Sequence, residues 1–385
     1  MKRHIRLLAF LSVFAMILAA CGGAETADTT AGTETTETTE APTETTAPAE
    51  ETTTTAATET TEGGEVMSGA ICEVTDTGGV DDKSFNQLAW EGAQTVAAEY
   101  GWEPVVLESV AETDYEPNIN SLIGRGDCNL IVTVGFLLGA ATETAANANA
   151  EQQFAIVDFA YDEGVITNGN VQGLVFAIDQ AAFLAGYIAA DQTQTGVVGT
   201  FGGINITPVS AFMEGFAQGV NYYNEQKGTD VTVLGWDIEA QDGLFTGNFD
   251  SLDDGRAFAE NLMAEGADII LPVAGPVGLG SAAAVQDNGS ARLIGVDADW
   301  TQTAPEFGDV ILTSILKRID VAVADAARAV VDGAVGPLLV STLESGGVGV
   351  ADITNPLAEN AELAAELEAI AAGIIAGDIV TTSQG

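Results

Sequence analysis

From residue 70 onward, short apolar runs alternate with stretches whose apolar residues recur at helical spacing. Ala70–Val74, Glu103–Glu108, Leu130–Val134 and Gln153–Val157 read as strands. Between them, Leu88, Ala89, Ala93, Val96 and Ala97 share one helical face, and residues 118–126 and Ala140–Ala150 have the same period. Gly173–Phe176 is a further strand running into a helix, Gln180–Gln192, read as the crossover into a second lobe. That lobe begins with strand Thr195–Phe201 and a helix around Val209–Phe216. Strands Val231–Trp236, Ala267–Val273, Arg292–Asp297 and Ile311–Lys317 follow, with an insertion near Glu239–Phe245 and helices over Gly255–Glu265 and Val321–Val331. The chain closes with Gly346–Val350 and a helix over Glu359–Gly377. Strands alternating with helices predict an α/β fold, each lobe a doubly wound parallel sheet flanked by helices. The expected division is 65–178 plus about 301–335 for the first lobe and 179–300 plus about 336–385 for the second.

In such sheets ligands bind beyond the carboxyl ends of strands. The first of these turns is Thr75–Trp90, TDTGGVDDKSFNQLAW. Gly78 and Gly79 permit a tight bend, and Asp81, Asp82 and Ser84 offer oxygens to cap the next helix. Phe85 and Asn86 then fall in the first helical turn. An aromatic ring beside an amide suits a flat, hydrogen-bonding ligand, although Phe85 reads equally as a core staple. Asp158 stands at another strand end, where it either meets a ligand or caps the following turn. Phe212 and Phe216 share a helical face and read as core.

Composition separates the ends from the folded part. Residues 2–6 carry Lys2, Arg3, His4 and Arg6, Leu7–Ala20 is apolar, and Leu18-Ala19-Ala20-Cys21 closes the segment. This is a targeting leader, not fold. Residues 24–64 are Thr, Glu and Ala with a little Pro and have no apolar period, so they read as a disordered tether. Its ends would lie roughly 35 Å apart as a coil. The 57 acidic and 11 basic residues give a formal charge of -46, which argues against nucleic acid or anionic lipid as partners of the folded part. The chain has three cysteines. Cys72 and Cys128 lie at the same end of strands that neighbour each other in a doubly wound sheet, so a disulfide between them is expected in an oxidising exterior, two buried thiols being the other possibility.

Several motifs, in order from about residue 69 to the C-terminus, resemble the basic membrane protein family. These are substrate-binding lipoproteins of ABC importers that include purine nucleoside receptors. The motifs are DTGGVDDKSFNQ, the pair Gly202-Gly203, the turn Asn248-Phe249-Asp250, the glycine-rich 274–280, the strand end Gly295-Val-Asp297-Ala-Asp299, and Ser314-Ile-Leu-Lys317. The resemblance implies a two-lobed type I periplasmic-binding protein. It also implies a lipidated Cys21 on the extracytoplasmic face, after cleavage of residues 1–20, with residues 21–64 as the lipid-bearing tether. The implied partners are a nucleoside, an ABC permease and the membrane through the lipid, with no cofactor or metal, and a monomer is expected. Asp158 would contact the base, backbone around Gly275 would approach the ligand, and Asp297 would accept from ribose hydroxyls. Lys317 would reach those hydroxyls and pair with the same aspartate, Asp297. Pro276 and Trp300 depart from the family pattern, and Trp300 would alter the entrance or add a stacking surface.

Other classes fit less well. His4, the only histidine, lies in the leader, which leaves no His-assisted nucleophile in the mature chain. A transcription regulator would need a basic head where the leader and acidic tether stand. A receptor for a sugar, a modified base or a signalling molecule on the same lobes remains the alternative.

Overall fold

The computed structural model describes residues 68–354 and 361–382; the leader, Cys21, the tether and the expected start of the last helix at Glu359 lie outside the described residues. The first lobe opens with β1 (Ala70–Val74), α1 (Phe85–Tyr100), β2 (Glu103–Leu107), α2 (Tyr115–Arg125), β3 (Cys128–Val134), α3 (Gly139–Ala148), β4 (Phe154–Val157) and β5 (Val171–Phe176). The second comprises α4 (Ile178–Gln192), β6 (Val197–Gly202), α5 (Thr207–Lys227), β7 (Thr232–Leu234), β8 (Trp236–Asp237), β9 (Asp242–Gly243), α6 (Leu252–Ala264), β10 (Ile269–Val273), α7 (Val277–Asn288), β11 (Arg292–Asp297), α8 (Trp300–Thr303) and β12 (Ile311–Lys317). The chain then returns to the first lobe for α9 (Ile319–Val331) and β13 (Leu338–Ser341), and finishes in the second with β14 (Val348–Val350) and α10 (Ala361–Ala376).

One sheet has the order β13-β5-β4-β3-β1-β2, the other β14-β12-β11-β10-β6-β7. All pairings in them are parallel except β14 with β12. The pleat of β1 sends Ile71 to the face packed with α1 and α9, while Cys72 and Val74 join the core on the other face. In the second lobe α4 and α5 meet backbone to backbone. A Cβ on Gly186 would sit 2.0 Å from the Phe216 carbonyl oxygen, and one on Gly219 2.0 Å from that of Phe183. Cys72 and Cys128 are joined by a disulfide with Cα atoms 5.8 Å apart.

The division of the C-terminal third differs from the expected one. Strand β12 pairs with β11 in the second sheet, and the chain crosses only after it, at Arg318. Helix α9 then packs on α1, and β13 extends the first sheet beside β5. Strand β13 is an edge strand with Leu338 and Val340 exposed, so its four residues lack the buried run that marks the other strands. The lobes are therefore linked by three crossings, at 176–178, 317–319 and 341–348. The strand expected over Val231–Trp236 stops at Leu234, because Gly235 turns the chain at φ 89° and Trp236–Asp237 pairs instead with Asp242–Gly243.

Candidate functional site

In each sheet the strand order reverses direction beside its first strand. β1 lies between β2 and β3, and β6 between β7 and β10. At such switch points the outgoing loops diverge and leave a crevice beyond the strand ends. The loops after β1 and β3 and the turn after β10 line a common cleft of about 610 Å³ of free space, part of it continuous with solvent. Asp158, Asp297 and Lys317 close its floor at the ends of β4, β11 and β12. Phe85, Asn86, Asp158, Gly275, Asp297 and Lys317 all line it, so the six residues singled out from sequence are brought together.

Lys317 is 2% exposed and sits at the centre. Its Nζ donates to Asp158 Oδ2 at 2.5 Å, joining the lobes and pairing with Asp158 rather than with Asp297 as the resemblance implies, and lies 4.9 Å from the centroid of the Phe85 ring, 5.1 Å from Phe176 and 5.7 Å from Phe212. An ammonium held among ring faces is stabilised by their quadrupoles, which offsets part of its desolvation. Phe85 both lines the cleft and packs on the first-lobe core, so its two readings are compatible. Asp158 and Asp297 hold φ of 65° and 64°, a region that side-chain-bearing residues seldom occupy. Such backbone costs on the order of 1–3 kcal/mol per residue and clusters at binding sites.

Asp82 caps α1. Its carboxylate accepts from the backbone N–H of Ser84 (2.9 Å), Asn86 (2.8 Å) and Gln87 (3.1 Å), and from the Asn86 amide (3.1 Å). Ser84 stands at the N-cap position but does not cap; its hydroxyl lies 2.8 Å from Asp297 Oδ2 and 3.1 Å from the Val296 carbonyl in the other lobe. Asp81 instead pairs with Lys83 at the surface. The Asn86 amide also donates to Asp76 Oδ1 at 2.8 Å. Burial pushes the Asp76 carboxyl up to about 8; the Asn86 bond opposes this and Asp82, Asp158 and Asp297 add to it. At neutral pH Asp76 is thus a neutral acid able to donate as well as accept. Burial also raises Asp297, to about 6, with Lys317 and the Ser84 hydroxyl pulling it down and Asp158 and Asp82 pushing it up. Asp297 is therefore mostly ionised at neutral pH.

Asp76, Asp82, Phe136, Phe212 and Phe249 also line the cleft and were not among the site residues chosen from sequence. Asp76 carried a readable signal, because it stands close to the carboxyl end of a strand, as Asp158 and Asp297 do. Phe212 did not: it is 3% exposed and packs in the core, yet its ring edges the cleft. The glycine-rich stretch forms a turn only over 274–276, and α7 begins at Val277. Gly275 takes φ 54° there, and Pro276 approaches Gly78 across the cleft. Trp300 is fully buried inside the second lobe, over Gly278 and Gly295, with its indole N–H donating to the Val296 carbonyl at 3.0 Å. It neither shapes the entrance nor offers a stacking surface. Asp299 turns away from the cleft and caps α8, its Oδ1 accepting from Thr301 N–H at 3.0 Å. Among the described residues no cluster of His, Cys, Asp and Glu is placed to hold a metal, and no helix is long and apolar enough to cross a membrane.

Comparison with known proteins agrees with this architecture. The family profile described as ABC transporter substrate-binding protein PnrA-like matches residues 71–379. A CD4+ T-cell-stimulating antigen of Listeria monocytogenes is 32% identical over 328 residues, covering 80% of this chain and 87% of its own. A protein of Lactococcus lactis named ABC transporter nucleoside-binding protein BmpA is 30% identical over 294 residues, 71% of this chain and 79% of its own. A solved ABC transporter solute-binding protein of Aeropyrum pernix superposes with a TM-score of 0.70 at 29% identity, over 82% of this chain and 94% of the other.

Proposed function

The chain belongs to the Bmp family of PnrA-like ABC transporter substrate-binding proteins, and from that premise we propose that it captures a nucleoside, a purine nucleoside foremost, between its lobes and delivers it to a membrane permease. The carrying observation is the pairing, in one cleft, of an aromatic wall with a lysine flanked by carboxylates. A base stacks against Phe85, with Phe249 on the other lobe, while Asn86, Asp76 and Asp158 meet its polar edge. An ionised Asp297 accepts from two vicinal hydroxyls of the sugar, and Lys317 donates to them. The turn at Gly275 brings backbone close to the ligand. These groups come from both lobes, so the full set forms only when the lobes close, and the closed outline is what a permease would recognise. The name of the Lactococcus lactis relative points to the same ligand class. In this reading Cys21 carries lipid on the extracytoplasmic face of the membrane, with residues 22–64 as the tether and the chain acting as a monomer without cofactor or catalysis.

The test is calorimetric titration of the lipid-free chain from Gly22 onward, unfolded and refolded to strip carried ligand. The titrants are nucleosides, free bases and pentoses. Micromolar or tighter nucleoside binding, abolished in Asp297→Ala and Phe85→Ala, supports the reading. Binding of a pentose or another sugar with no response to any nucleoside overturns the ligand.

A further inference from the structure

We propose that Ser84 is a positioning residue that orients Asp297 for the sugar diol and ties that orientation to lobe closure. The inference rests on the nucleoside reading for its ligand and on geometry alone for its closure role. A serine at an N-cap ordinarily accepts from the N–H two or three residues on. Here Asp82 takes both of those donors, Asn86 and Gln87. The Ser84 hydroxyl is left free, is completely buried, and reaches the other lobe. Its proton lies between Asp297 Oδ2 at 2.8 Å and the Val296 carbonyl at 3.1 Å. Charge favours the carboxylate.

Asp297 needs such a restraint. It ends β11 at φ 64°, and the Ser84 hydroxyl is the hydrogen-bond donor to its carboxylate among the described residues. With Oδ2 held, the carboxylate plane is set and Oδ1 is free for the ligand. Ser84 does not itself line the cleft, so it acts through Asp297 rather than on the ligand. Ser84 belongs to the first lobe and Asp297 to the second, so this bond exists only when the lobes are together. A diol bound to Asp297 and a closed cleft therefore require the same carboxylate orientation, and each favours the other.

The test uses the chain from Gly22 onward, whose cysteines are the bridged Cys72 and Cys128. Ser84→Ala is titrated with adenosine, guanosine and their 2′,3′-dideoxy counterparts. A hydrogen bond to a charged group of this kind corresponds to about ten- to a hundredfold in affinity. The expected result is a loss of that order for the ribonucleosides and a clearly smaller one, the closure contribution alone, for the dideoxy analogues. Adding Ser84→Ala to Asp297→Asn should then cost little further ribonucleoside affinity. In parallel, spin labels at Glu116→Cys and Glu239→Cys, exposed positions on the two lobes, report the interlobe distance in buffer alone. Ser84→Ala should broaden that distribution toward longer distances. Equal loss for ribose and dideoxy ligands overturns the positioning role, and an unchanged distribution overturns the closure role. If the parent chain binds no nucleoside, the ligand assignment fails and the distance measurement alone decides the fate of the Ser84 link.

Discussion

Glu73 should destabilise the protein it belongs to, and removing its carboxyl should stabilise the fold. It lies mid-strand in β1, between Val106 of β2 and Val132 of β3, and is fully buried. Neither carboxyl oxygen has a hydrogen-bond partner among the described residues. Burial, with the Asp82 charge adding to it, holds the carboxyl well above the usual glutamate range. Two effects follow. An unpaired buried polar group costs about 1–3 kcal/mol at any pH, so Glu73→Met, of similar length and apolar, should recover an amount of that order. The raised pKa adds a pH-dependent part. Above the unfolded glutamate pKa of 4.5, the folded state keeps a proton that the unfolded state releases. Glu73 therefore costs about a further 1.4 kcal/mol of stability for each pH unit until its folded pKa is passed. Urea unfolding of the parent, Glu73→Met and Glu73→Gln at pH 5 and pH 7 separates the effects. The Met variant should be more stable at both pH values, with its advantage growing toward pH 7. The Gln variant keeps the unpaired group but cannot ionise, so its gain should be small at pH 5 and several times larger at pH 7. A Met variant less stable than the parent, or a stability difference that does not change with pH, refutes the reasoning.

Further outcomes follow from the same structure. Asp297 titrates near pH 6, so ribonucleoside affinity should fall below that pH, by at most about tenfold per unit, and calorimetry over pH 5–8 reads it. Asp76→Asn preserves a donor and an acceptor; it should bind at pH 7 within a few-fold of the parent and lose the affinity change that the parent shows as Asp76 ionises near pH 8. The bridged cysteines are 56 residues apart, so Cys72→Ala with Cys128→Ala should lower unfolding free energy by about 4 kcal/mol at most in denaturant titration. Gly186→Ala drives a methyl into the Phe216 carbonyl of α5, and thermal unfolding should show destabilisation of about 2 kcal/mol or more.

The fold was largely legible because parallel strands buried on both faces read as continuous apolar runs, and Phe154–Val157 and Ile269–Val273 both do. What was illegible was sheet membership. The residues of β12 say that a strand exists, but pairing with β11 rather than β5 is decided by where the chain crosses, and the edge strand β13 lacks the apolar contrast that would have revealed the crossing. The site was legible where function needs a particular residue at a strand end, as at Asp158, Asp297 and Lys317. It was illegible where one side chain serves two environments. Phe212 keeps helical core spacing and also edges the cleft. Trp300, conspicuous in a ligand motif, fills the space over Gly278 and Gly295.

The same contrast explains why Ser84 escapes a reading by local pattern. A serine two residues after an aspartate, at the head of a helix, has a sufficient local explanation as a cap. Only the three-dimensional structure shows that Asp82 has taken that task and left the serine hydroxyl to Asp297, 213 residues away. The cleft places its hydroxyl-binding carboxylate, its interlobe ion pair and its strained aspartates at the junction of two sheets. Each group alone is costly: a buried lysine, carboxylates pushed up by burial, and backbone in the left-handed region. Together they offset one another only when both lobes contribute, since Asp158 neutralises Lys317 and Ser84 satisfies Asp297 across the gap. The cleft thus gathers several unfavourable local choices where closure and a ligand can compensate them.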